Sequence, residues 1–123
     1  MTLSSFALIG AGLFLSACGG GDEFKPSSEA EKKAVNLIKR KSADAKILSF
    51  SVAQKEFSLK DRECLKSKGT MDIDDVIDIY FVKLPNGEIQ VREVLFNNRT
   101  NGGALSDTYT LEQIKAKKPE CFN

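Results

Sequence analysis

An α+β fold is predicted for this 123-residue chain: an N-terminal helix packed on a small antiparallel meander sheet of three to four strands, with one disulfide. Three observations predict it. Residues 29–41 (EAEKKAVNLIKRK) carry helical periodicity behind a serine cap; Val76–Leu84 and Glu88–Phe96 are two strand-like runs joined by Pro85-Asn86-Gly87; and Asp107–Thr110 offers a further strand after a polar loop. A single amphipathic helix must bury its apolar stripe on something, and a half-apolar sheet face is what this chain offers, in a two-layer arrangement.

The helix is expected over residues 28–42. Ser28 and Glu31 have capping-box spacing, and Ala30, Ala34, Leu37 and Ile38 share one face. Acidic residues occupy its first turn and Lys39, Arg40 and Lys41 its last, which complements the helix dipole. Leu48-Ser49-Phe50-Ser51-Val52 alternates apolar and polar residues, which predicts a half-buried strand. Residues 54–70 fit either a short helix ending at Gly69 or an irregular loop held by Cys64.

Val76–Leu84 (VIDIYFVKL) is rich in β-branched and aromatic residues and nearly continuous in apolar character, so a central strand covered on both faces is expected. Proline fixes φ and Asn-Gly supplies positive-φ positions at the turn that follows. Glu88–Phe96 alternates again, with Ile89, Val91 and Leu95 on one face. Asn97–Gly103 (NNRTNGG) reads as a polar loop, Asp107–Thr110 as a further strand, and Thr110-Leu111-Glu112-Gln113 as the capped start of a short helix that stops before Pro119. Helix first and meander after is an element order similar to that of cystatin-like and related small envelope domains, a likeness carried by order alone.

Ahead of the domain, Phe6–Ala17 is a nearly unbroken apolar run. Its twelve residues reach about 18 Å as a helix, short of a bilayer core of about 30 Å, and match the hydrophobic region of a signal peptide. The run ends in Leu15-Ser16-Ala17-Cys18, which resembles the lipobox of bacterial lipoproteins. The resemblance implies that residues 1–17 are a removed signal peptide, that Cys18 carries the lipid, and that residues 18–28 are a flexible tether to a domain at 29–123. Several acyl chains anchor stably where one binds marginally. Gly19, where an Asp would favour retention in the inner membrane, implies an outer-membrane anchor facing the periplasm. With Cys18 given to lipid, Cys64 and Cys121 are left as an even pair in an oxidising compartment, closing a loop of about 58 residues worth roughly 4 kcal/mol.

Composition narrows the function classes. Eighteen basic and 17 acidic side chains leave a formal charge of +1, so no overall basic field invites nucleic acid. The chain has no histidine, which removes Ser-His and Cys-His catalysis and deprives a zinc site of ligands. The acidic run Met71–Asp78 fails as a calcium loop, because the sixth and twelfth positions counted from Asp72 are Ile77 and Lys83. Gly102-Gly103 lacks the setting of a phosphate cradle. The basic residues Lys39–Lys41 with Lys46, and Lys115, Lys117 and Lys118, are accounted for by helix C-termini. No cofactor or metal is expected.

The function these features imply is that of a membrane-anchored envelope lipoprotein with a small non-enzymatic binding domain, either an accessory or assembly subunit or an inhibitor or immunity protein. Its partners would be the membrane, through Cys18, and an envelope protein or cell-wall component, with Asn97, Asn98, Arg99 and Asn101 as the candidate binding loop. The competing reading is a cell-wall- or lipid-acting enzyme with paired carboxylates drawn from Asp74, Asp78 and Glu93.

Overall fold

A computed structural model describes residues 23–68 and 71–123. Cys18, the apolar run before it and the first glycines after it lie outside the described residues.

Helix α1 spans Glu29–Lys41. Ser28 Oγ accepts the Glu31 N–H at 3.2 Å, while the Glu31 carboxylate reaches past the cap to the N–H and hydroxyl of Ser27 at 2.8 and 2.9 Å. The amphipathic stripe buries Ala34 and Ile38.

After α1 the chain forms only a two-residue strand, β1 (Lys46–Ile47), and turns at once into a second helix, α2 (Phe50–Phe57). The strand expected over Leu48–Val52 is therefore corrected. Ser49 Oγ accepts the Val52 N–H at 3.3 Å and caps a helix whose Phe50, Ala53 and Phe57 share one stripe. Five alternating residues fit both a strand and a capped first turn, and Phe57, seven residues after Phe50 and four after Ala53 on the same helical stripe, decides between them. The helix ends at Ser58, in the left-handed region at φ 62°. The segment left open by the sequence becomes a 3-10 turn at Glu63–Leu65 and a second short strand, β2 (Ser67–Lys68).

The meander is β3 (Asp75–Lys83), β4 (Ile89–Asn97) and β5 (Gly103–Thr110), followed by α3 (Leu111–Lys117) and a 3-10 turn at Pro119–Cys121. Gly87, at φ 91°, donates to Leu84 O, and Asn86 Oδ1 takes the Glu88 N–H, so the turn chemistry read in Pro85-Asn86-Gly87 closes the β3–β4 hairpin. The sheet order is β1-β3-β4-β5 and all pairings are antiparallel. The free side of β3 is shared by β1, opposite Val82 and Lys83, and β2, opposite Val76 and Ile77. Thr110 and Gln113 exchange both bonds of a capping box at the start of α3.

Both faces of the central strands are covered, which adds a layer to the two expected. Ile79, Phe81 and Val91 pack with Ala53, Phe57, Leu65, Ile114 and Phe122; Tyr80, Val82 and Val94 pack with Ala34, Ile38 and Ile47. The disulfide between Cys64 and Cys121 joins the two 3-10 turns, with Cα atoms 5.6 Å apart. Backbone bonds from Lys60 N to Cys121 O and from Asn123 N to Ser58 O hold the C-terminal tail alongside it.

Glu23 and Phe24, expected in a flexible tether, are docked on the domain. Glu23 bridges to Leu48, Phe24 N donates to Ile47 O, and the Phe24 ring meets Phe50 and Tyr80 edge-on at 5.4 Å each. One aromatic residue in a polar stretch is enough to dock it, because Phe50 and Tyr80 offer an open apolar seat beside β1.

Candidate binding site

The candidate loop and the acidic run ahead of β3 are a single unit. Asn97, at the end of β4, accepts the N–H groups of Arg99 and Thr100 on its Oδ1 at 3.0 and 2.9 Å, and donates Nδ2 to Asp75 at 2.7 Å and Asp72 at 3.2 Å. Arg99 reaches across to Asp72 with Nη2 at 2.6 Å and to Asp74 with Nε at 3.2 Å. Asn101 adopts φ 60° and donates to Asn97 O, while Asn97 N donates to Gly102 O. Two residues thus oppose one, the pattern of a bulge with a left-handed first residue. Of the four residues expected to bind a partner, Asn97 and Arg99 are engaged internally, and the exposed Asn98 and Asn101 side chains remain at the surface.

The electrostatics follow from this closure. The Asp74 N–H and then the Arg99 side chain hold the Asp72 carboxyl below its usual range, and the Asp72 hydrogen bond raises Arg99 in return. The acidic run is consumed by its own loop. Next to these aspartates, Met71 before Asp72 and Ile73 between Asp72 and Asp74 project outward with 92% and 82% of their surface exposed. Sequence reasoning passed over them because it read the segment by its charge; the alternation of Asp72 and Asp74 inward with Met71 and Ile73 outward was the available signal.

A second polar site lies beneath the N-terminal half of α1, around a cavity of about 220 Å³ whose lining includes Glu31, Lys66, Asp78, Tyr80 and Phe96. Asp78 is buried and takes a bidentate contact from Arg62, Nη1 to Oδ1 at 2.6 Å, together with the Ile79 N–H at 2.9 Å. The Arg62 guanidinium also lies over the Phe50 ring at 4.0 Å. Burial pulls the Arg62 pKa down, but the bond to Asp78 and its charge more than offset this and the net shift is upward. Burial, reinforced by Asp78, pushes the Tyr80 phenol up, so it stays neutral and can donate. Arg62 came from the stretch that sequence reading left open, and nothing in its neighbours pointed to Asp78, 16 residues away.

The register separates the carboxylates considered as a pair. Asp78 is opposite Val94 and Ile79 is opposite Glu93, so Asp78 and Glu93 face opposite sides of the sheet. Asp74 lies in the loop unit, bonded to Arg99. Cys64, Glu120 and Cys121 cluster closely, but both sulfurs are bonded to each other, which leaves one carboxylate as a donor. Among the described residues no helix is long and apolar enough to cross a membrane.

No family model matches the chain, and no curated protein or solved structure is significantly similar to it.

Proposed function

We propose that the chain is a bacterial envelope lipoprotein, anchored by lipid on Cys18 and carrying a small non-enzymatic binding domain that serves an envelope partner. The observation that carries this reading is the Cys64–Cys121 bridge in a chain headed by Leu15-Ser16-Ala17-Cys18. One cysteine for lipid and two for a bridge account for all three, and a structural bridge belongs to an oxidising compartment. Docking of Glu23 and Phe24 leaves Gly19–Asp22 between anchor and domain, four residues spanning at most about 14 Å. The domain would therefore work against the membrane surface.

The binding reading is favoured over the enzymatic one because Asp78 is neutralised by Arg62 and faces away from Glu93. Accessory subunit and inhibitor or immunity protein remain the two versions of it, and a toxin gene or an assembly operon next door separates them. Mass spectrometry of the mature N-terminus tests the anchor: a lipid-modified Cys18 is expected, and an unmodified N-terminus elsewhere overturns it. Cys18→Ala should release a folded, disulfide-bonded domain from membranes.

A further inference from the structure

The two sides of the meander are finished differently. β3 has its free side covered by β1 and β2, whereas among the described residues β5 pairs only with β4. The bonds between Asn97 and the Asn101-Gly102 bulge make Asn97 and Gly102 a hydrogen-bonded pair. Antiparallel alternation then aims the N–H and C=O of Ala104 at Leu95 and turns those of Gly103 and Leu105 outward. Beyond Leu105, Ser106 and Asp107 together oppose Glu93, and this second bulge ends the regular stretch.

Alongside the outward groups runs a groove of about 430 Å³ between α1 and β5, lined by Leu37, Arg40, Lys41, Gly103, Ala104 and Leu105. Gly103 adds to its depth: a Cβ there would meet Lys33 Cγ at 2.8 Å, so a larger residue would have to push the Lys33 side chain aside. No carboxylate lines the groove, and Lys33, Arg40 and Lys41 have no ion pair among the described residues.

We infer that the outer side of β5 and this groove receive a short extended segment of an envelope protein in which every second side chain, on the side facing α1, is acidic or apolar. Its backbone pairs with Gly103 and Leu105, one apolar side chain enters the groove beside Leu37 and Leu105, and the acidic side chains two positions before and after it, on the same side, meet Lys33, Arg40 and Lys41. A sheet edge supplies affinity through main-chain bonds, and the pocket beside it supplies the choice of side chain. This inference rests on the binding-domain reading and names the surface and the chemistry of its partner.

The test uses the full chain in mild detergent and a fluorescent, N-acetylated seven-residue peptide, Ser-Glu-Ser-Val-Ser-Glu-Ser, whose two glutamates and one valine share a side when it is extended. Expected results are saturable binding, slowed amide exchange at Gly103 and Leu105, at least tenfold weaker binding of the analogue with lysine for glutamate, and at least tenfold loss on N-methylation of alternate peptide amides. Arg40→Glu with Lys41→Glu, both exposed, should reverse the preference while leaving the far-UV spectrum and the disulfide unchanged. Equal binding of acidic and basic peptides overturns the inference. So does protection elsewhere than β5, a chain that dimerises through β5 without peptide, or binding to anionic vesicles with no protection of Gly103 and Leu105. A failed peptide assay with Cys18 lipidated removes this surface alone; an unmodified Cys18 removes the anchor alone.

Discussion

On one face of the central strands, Ile79, Phe81 and Val91 close against α2, α3 and the disulfide, with Phe57 stacked 5.5 Å from Phe81. On the other face, Asp78, Tyr80 and Val94 look toward α1 across a cavity, and the Arg62–Asp78 ion pair is buried at its margin. The first face is apolar, and a covalent bridge holds together segments distant in sequence. The second is held by a helix of alanine and isoleucine contacts and by a charge pair whose net worth is small against well-packed apolar residues. Stability is thus concentrated on the disulfide face, while openings and polar groups, the features a partner can use, gather under α1.

Opening the staple is the strongest way to test that contrast. Cys64→Ala with Cys121→Ala should cost about 4 kcal/mol, because the unfolded chain regains the freedom of a long loop. Urea unfolding of the oxidised parent and the variant measures it, and an unchanged midpoint would place stability elsewhere. On the α1 face, Asp78→Ala strands the Arg62 guanidinium and should cost about 3 kcal/mol. Adding Arg62→Met should recover most of that loss. If the double variant stays as unstable as the single one, the ion pair has a packing role that the contrast denies.

At the end of the sheet, Asn97→Ala removes an amide that satisfies both the loop and the acidic run, and about 1–2 kcal/mol should be lost. Faster amide exchange at Arg99 and Thr100 would localise the effect. The smallest effect concerns pH. The Asp72 carboxyl is depressed in the folded protein, so its contribution is fully present above the ordinary aspartate value of 3.8 and is lost as pH falls through the lowered one. Asp72→Asn should lose that contribution at neutral pH, flatten the acid limb of stability between these two points and match the parent below the lowered one. An identical acid limb in parent and variant would detach Asp72 from the loop unit.

Much of the fold was legible because local rules and tertiary packing agree there. Ser28 and Thr110 cap helices as their spacing requires, Asn86-Gly87 can turn where few residues can, and the β3 run is too apolar to leave either face wet. The misreading at Leu48–Val52 arose where the two disagree: Ser49 and Ser51 look alike in a strand pattern, but only Ser49 meets a helical N–H. The polar loop after β4 was legible from composition, yet its inward bonds to Asp72, Asp74 and Asp75 depend on the β3–β4 register, which places Asp75 opposite Asn97. The Arg62–Asp78 contact and the β5 groove depend on where α1, α2 and the long 58–66 segment come to rest.

By itself, the sequence determined the α+β class, the starts of α1 and α3 and the central hairpin, because each follows from short-range sterics, hydrogen-bond caps or side-chain periodicity. Only the tertiary structure decided which helices cover each face of the sheet, that Phe24 docks beside β1, that Asp78 faces Arg62 and away from Glu93, and that β5 is left with Gly103 and Leu105 turned outward. Those outcomes depend on which distant surfaces meet, and a side chain's periodicity states only that it must be buried, never against what.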